Sequence, residues 1–258
     1  ASRYHSPIPL RCFLPPSVTS RGVAVRGEGP HGTPWGKTYC NSAAIAVFDS
    51  DNATVKTARV DSAWDAIRFA ERKHTADNQT VQGVWVTRNR DDCIESDWIV
   101  NTRVVDVLCE SFVGVSASNK RFSKPENKLV LNGAIISVLE YDYRGSPQSG
   151  PPIKLRSGKS IGLVVENSVF VLNSTSIVGG RKHFDRRRAS LIGCENNLLI
   201  WPHDQELAAF VDLPECFSII TGKAEGTQRW EEIRTNWINC HYEVPRSVED
   251  PASDPASC

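Results

Sequence analysis

The stretch RNRDDCIESDW, residues 88–98, sets Asp91, Asp92, Glu95 and Asp97 close together behind the apolar run VWV, with Arg88 and Arg90 among them. A further acid, Asp65, lies upstream in AWDAI. Crowded carboxylates suit three kinds of chemistry. They raise one another's pKa, so one carboxyl can stay protonated while its neighbour is ionised, the division of labour in a glycosidase. They can offer several of the roughly six to eight oxygens that calcium takes, with Asp91, Asp92, Glu95 and Asp97 as the candidate set. Or Arg68, Arg88 and Arg90 can neutralise them in a purely structural ladder.

The elements that would position these acids follow one recurring pattern. A short apolar strand runs into two polar residues and a second apolar strand follows. The pairs are Asp61-Ser62, Arg90-Asp91, Glu110-Ser111, Asn132-Gly133, Glu166-Asn167 and Glu195-Asn196, spaced 29, 20, 22, 34 and 29 residues apart. Such spacing marks a stacked architecture. The strands are rich in β-branched and aromatic residues, and helical periodicity is nearly absent until TQRWEEIRTNWINC. The pattern therefore predicts an all-β fold, a right-handed parallel β-helix, with an antiparallel sandwich as the alternative. If the bend at Asp61 stacks on that at Asp91, Asp65 and Glu95 share one phase of consecutive coils, about 5 Å apart. That distance suits a retaining pair, whereas the offset Asp65 and Asp92 would suit the wider inverting separation of about 6.5 to 9.5 Å.

The Pro-, Gly- and Arg-rich residues 1–36 read as an N-terminal arm or cap, residues 37–242 as the β-helix domain, and residues 243–258 as a polar tail. Trp230, Ile233 and Trp237 fall at helical spacing, which predicts a short amphipathic helix capping the far end. RFSKPEN and YDYRGSPQSGPP read as insertions, and the basic run RKHFDRRR as a loop or a contact for an acidic polymer.

Composition narrows the function. The 258 residues carry 30 Lys plus Arg against 30 Asp plus Glu, which argues against nucleic acid as a partner. No apolar run approaches the roughly 18 residues that span a membrane. The eight cysteines are even in number and not in CxxC pairs, which favours disulfides over zinc. Cys93 with Cys109 and Cys194 with Cys216 are the candidate pairs. Sequons at Asn52, Asn78 and Asn173 agree with an oxidising, extracellular compartment. The chain has no methionine, which predicts a mature secreted chain with its signal peptide removed.

RDDCIESDW, CESFVGVSAS, GCENNLLIW and LPECFSIITG resemble a group of secreted right-handed parallel β-helix proteins in the pectin-lyase-like superfamily, over residues 56–241. The resemblance implies that fold and, through the superfamily's polygalacturonase-like hydrolases, roles for Asp65, for the Asp91–Asp92 pair and for Lys154. The histidine of that pattern has no counterpart, since the region reads FVGVSAS.

The expected function is that of an extracellular polysaccharide-active enzyme, a glycoside hydrolase with Asp65, Asp91, Asp92 and Glu95 as catalytic acids. Trp64, Arg68, Arg90, Lys154 and Arg156 are the candidate substrate contacts, with the tryptophan as a stacking face. This reading needs no cofactor. The alternatives are a calcium-assisted polysaccharide lyase and a non-catalytic carbohydrate-binding or structural β-helix. If every cysteine is paired, the chain unfolded in guanidinium without reductant will show no thiol titre, and a titre of two or more would break the disulfide reading.

Overall fold

The computed structural model describes residues 19–21, 24–26, 43–70, 77–96, 101–117, 127–155, 161–177, 189–207, 211 and 213–242. The chain is mostly strand, in parallel sheets, with one helix near the C-terminus. A seven-stranded sheet takes, in chain order, Thr19–Arg21, Thr54–Lys56, Gln79–Gln82, Thr102–Val105, Lys128–Asn132, Ile161–Glu166 and Ala189–Glu195. The main path of an eleven-stranded sheet takes Ala24–Arg26, Arg59–Asp61, Trp85–Glu95, Leu108–Ala117, Ile135–Val138, Val169–Leu172, Asn197–Trp201 and Phe217–Thr221. Its flank adds Ala43–Phe48, Asp65–Ala70 and Ile153–Leu155. Successive passes of the chain thus stack on one another, and part of the expected N-terminal arm supplies the first strand of each large sheet.

Buried aliphatic columns explain the stacking. Val55, Val81, Val104, Leu131 and Val165 stand in register in the first sheet. Val60, Val86, Cys109, Ile136, Phe170 and Leu199 do so in the second. Ile45, Ile67, Ile94, Val115 and Ile153 do so on its flank. All pack into one core. Each strand inside a parallel stack buries its inward side chains against the strands above and below, so one apolar residue per pass suffices to propagate the column.

The bends differ in part from the sequence pattern. Between the two main sheets the chain turns at Thr57, Gly83, Asp106, Gly133, Asn167 and Asn196, all at positive φ. Each of the first five donates its N–H to a carbonyl of the next pass. Asn132-Gly133, Glu166-Asn167 and Glu195-Asn196 belong to this column as expected. Asp61-Ser62, Arg90-Asp91 and Glu110-Ser111 do not, and Asp61 pairs with Thr87, not Asp91. A polar pair alone cannot tell this corner from the next one, at Ser62 and Arg88, which also lies at positive φ.

The helix, Lys223–His241, does not cap an end. Nineteen residues span about 28 Å, and they lie along the outside of the second sheet. There Trp85, Leu108, Ile135, Val169 and Leu198 form a second, outward apolar row, and Trp230, Trp237, Ile233 and Ile238 cover it. Polar contacts fasten the strap. Arg234 grips Glu110 at 3.0 and 3.2 Å, the Trp237 Nε1–H donates to Asp106 at 2.8 Å, and His241 Nε2 lies 2.6 Å from the same carboxylate. The residues that pack onto the core after the last buried strand are Leu207, Val211, Leu213 and Phe217. A sheet that is apolar on both sides needs a cover more than an open end does, so the amphipathic helix goes there.

Disulfides join Cys93 to Cys109 and Cys194 to Cys216, as expected. Cys240 is disulfide-bonded as well. Sequon residues Asn52 and Asn78 are exposed on one edge, stacked on adjacent passes with Asn78 Nδ2 donating to Asn52 Oδ1 at 3.3 Å. Asn173 differs, because its amide nitrogen donates to Ser137 Oγ at 2.7 Å and to the Val138 carbonyl at 3.1 Å. A glycan there has to displace one of those contacts. No helix among the described residues is long and apolar enough to cross a membrane. The polar tail, most of the N-terminal arm and the run RKHFDRRR lie outside the described residues.

Trp237→Ala removes a buried strap side chain packed over the sheet together with a hydrogen bond to Asp106. We expect a loss of about 3–5 kcal/mol in urea unfolding and a red shift in Trp85 emission. A loss below about 1 kcal/mol would mean that the strap does not hold the sheet.

Candidate active site

Two neighbouring strands of the flank build the site. Asp65–Ala70 pairs with the second half of Trp85–Glu95, with Ile67 opposite Ile94 and Arg68 opposite Glu95. This register sets Asp65 level with Asp92, not with Glu95 as the sequence pattern predicts. The reason is a slip at the corner. Before it, Arg59–Asp61 pairs with residues 26 positions on, at 85–87; after it, Ile67 pairs 27 positions on. Arg88 at positive φ makes the turn, and Asn89 is turned inward, its amide donating to the carbonyls of Trp64 at 2.7 Å and Asp92 at 2.8 Å. The extra residue behaves as a bulge and re-aims every side chain after it.

Asp65, Asp92 and Glu95 converge so that one carboxylate oxygen from each lies within 4.8 Å of the others, and all three are buried. The wide spacing expected for Asp65 and Asp92 is therefore absent. Two cations serve this group. The Arg68 guanidinium holds Glu95 through Nε at 2.8 Å and Nη2 at 3.1 Å. Lys154 Nζ lies 2.9 and 2.7 Å from the two oxygens of Asp92 and 4.0 Å from Asp91. Lys154 arrives from the inserted segment: Ile153–Leu155 pairs with Val115–Ala117, which places it opposite Ser116, itself opposite Glu95. The column Arg68, Glu95, Ser116, Lys154 crosses four strands. Ser116 is fully buried and carries no motif, so the sequence pattern does not single it out.

Asp65 has no cation of its own. It is 1 % exposed, and its one hydrogen bond is accepted by Oδ1 from the Asp92 N–H at 3.2 Å. Burial pushes its carboxyl well above the ordinary carboxylate range, and the charges of Asp92, Glu95 and Asp91 push the same way against a weaker pull from Arg68. The cluster thus sets a carboxyl that burial makes bind its proton more tightly beside one paired with a lysine.

The structure separates the other candidates. Arg68 and Lys154 are each about one-fifth exposed and form the solvent-facing rim with Asp91. Trp64 is buried and offers no stacking face. Arg90 is also buried, its guanidinium 5.3 Å from the Tyr141 ring centre, and burial lowers its pKa. Both are part of the packing beneath the site, Arg90 following the inward Asn89 and Trp64 lying on the pass whose carbonyl the Asn89 amide bonds. Trp85 lies under the Arg59 guanidinium, and Trp201 is buried with its Nε1–H on the Gln205 carbonyl. His203 bonds the Leu172 carbonyl, away from the acids. Asp97, Trp98, Arg156 and His183 lie outside the described residues. Among the described residues the group that converges is Asp65, Asp92 and Glu95, which shares Asp92 and Glu95 with the expected calcium set. In that trio, Asp92 and Glu95 already face an ammonium and a guanidinium, which a calcium ion has to displace.

No family model, no curated protein and no solved structure matches this chain.

The protonated state of Asp65 has a sign that can be read. Below the carboxylate range both folded and unfolded chains hold the proton. As pH rises past about 3.9 the unfolded chain releases it and the folded chain does not, so stability falls until the raised pKa is passed. Asp65→Asn removes that loss and keeps an acceptor for the Asp92 N–H. Its melting temperature relative to the parent should therefore climb as pH rises above about 3.9; a difference that stays flat would show that the Asp65 carboxyl is not raised.

Proposed function

We propose that this chain is a secreted right-handed parallel β-helix protein that hydrolyses glycosidic bonds in a polysaccharide, with the Asp65–Asp92 pair at its centre. One observation carries the reading: the buried Asp65 carboxyl, pushed well above the ordinary carboxylate range, stands level, on the neighbouring strand, with Asp92, whose two oxygens lie against the Lys154 ammonium. Hydrolysis of an acetal needs a proton for the leaving oxygen and a negative charge for the developing oxocarbenium ion or the attacking water. Asp65 stores the proton and Asp92 carries the charge. Asp91, at 16 % side-chain exposure against 3 % for Asp92, meets the substrate: it relays the Asp65 proton to the leaving oxygen as the glycosidic bond breaks, and the proton of the water that adds to the anomeric carbon returns through it to Asp65. Lys154 binds substrate oxygens at the rim while keeping Asp92 ionised, and Arg68 confines Glu95. The paired disulfides and exposed, stacked sequons Asn52 and Asn78 support a secreted protein.

A second reading is favoured by the burial of the acids and by their two ion pairs. In it the cluster is a network that selects the register between passes and does no chemistry. Reducing-end release from a panel of neutral and acidic polysaccharides separates the two. The hydrolase reading expects release by the parent chain and a loss of at least about 100-fold in kcat for Asp92→Asn and for Asp65→Asn. An unsaturated product, seen by its ultraviolet absorbance, would instead assign elimination. No product from any polymer, with Asp92→Asn lowering stability, would leave the structural network as the function of the cluster.

A further inference from the structure

Lys154 reaches Asp92 only because the insertion of residues 139–155 returns to the sheet at one height. After the hairpin of Tyr141–Tyr143 and Ser146–Gln148, whose Tyr143 ring stacks on Phe112 at 6.0 Å, the chain closes on the strand Leu108–Ala117. Gly150 donates its N–H to the Phe112 carbonyl at 2.8 Å. The Gly114 N–H then donates to the Pro151 carbonyl at 3.2 Å, and the Val115 N–H to the Pro152 carbonyl at 2.9 Å. Pro151 and Pro152 have no N–H and a fixed φ, so at these two residues the segment bonds only through its carbonyls and is stiff. It also has no room. A Cβ on Gly114 would lie 2.1 Å from the Pro152 oxygen, 2.9 Å from its carbonyl carbon and 2.6 Å from Ile136 Cγ2. A Cβ on Gly150 would lie 2.3 Å from Val113 Cγ2. The first obstacle is backbone, which no rotamer change relieves; the nearest obstacle to the second is a side chain. Two residues beyond Pro152 stands Lys154, and nothing between them can absorb a displacement, since Ile153 is already locked opposite Val115 in the core column.

We propose that Gly114 is a positioning residue for Lys154: its missing side chain sets the height at which the inserted segment docks, and so whether the ammonium sits on Asp92. The inference rests on the hydrolase reading for its purpose but not for its test. Site-resolved acylation of lysines, followed by mass spectrometry on the full chain without substrate, reads the pairing directly, because an ammonium held by a carboxylate has little free amine to react. Gly114→Ala should raise the acylation rate of Lys154 about tenfold or more, the equivalent of one pKa unit of lost pairing, while Lys128 and Lys223 stay unchanged. Should that variant fail to fold, Gly150→Ala carries the same test, with Val113→Ala added to restore the room. Protection lost in the single variant and regained in the double supports the seam. Lys154 reactivity that stays at the parental rate in Gly114→Ala, or in Gly150→Ala, overturns it. If the parent chain hydrolyses nothing, the hydrolase reading fails and the positioning of Lys154 stands or falls on acylation alone. If it does hydrolyse, Gly114→Ala should shift the acidic limb of the pH–rate profile upward, as Asp92 loses its lysine, an effect that general loosening of the fold does not produce.

Discussion

Every structural feature of this chain depends on the register between one pass and the next. Parallel strands about 4.8 Å apart bring residues close that lie 20 to 35 positions apart, but only if the count of residues per pass is kept. The aliphatic columns enforce that count, since a slip by one residue would turn each Val, Ile or Leu away from the core. The corner at Arg88 and Asn89 is where the count changes, from 26 to 27. That single added residue decides which acids meet. Without it Asp65 would stand level with Asp91, whose side chain reaches solvent; with it Asp65 stands level with Asp92, which does not.

The acids that converge are held by unequal means. Glu95 has a guanidinium on both oxygens and Asp92 has an ammonium on both, whereas Asp65 has only a backbone N–H. A buried charge without a partner is more costly than a buried neutral acid, so Asp65 is the member of the trio whose pKa burial raises. Asp91 adds a third acid at the rim, 4.0 Å from Lys154. The disulfide from Cys93 to Cys109 lies directly behind Asp92 and ties the strand that carries it to the strand that receives the inserted segment. Backbone stiffness, disulfide and seam together leave the ion pairs little freedom to rearrange.

The strap helix solves a different problem. A stacked sheet whose inward and outward rows are both apolar exposes one of them unless something covers it. The helix does so over the row from Trp85 to Leu198, and its charged contacts, Arg234 to Glu110 and His241 to Asp106, fall beside that row. Among the described residues the helix packs on that row and the acids lie on the flank strands, so cover and candidate site occupy different parts of the same sheet.

The sequence by itself determined the parallel, strand-dominated stack, the helix near the C-terminus, the two disulfides and the crowding of acids around Asp92. Each of these is a local property: alternation of apolar residues, spacing of Trp230, Ile233 and Trp237, cysteine parity, or charges adjacent in the chain. It also pointed to Lys154 through a family resemblance. Only the tertiary structure decided that Asp65 faces Asp92 and not Glu95, that Trp64 and Arg90 are packed away from solvent, and that the helix lies along the side of the stack. The first depends on one bulge, and the last on an outward apolar row that only the pairing of strands assembles. A residue count per pass is a property of pairing between strands, and no single stretch of the chain contains it.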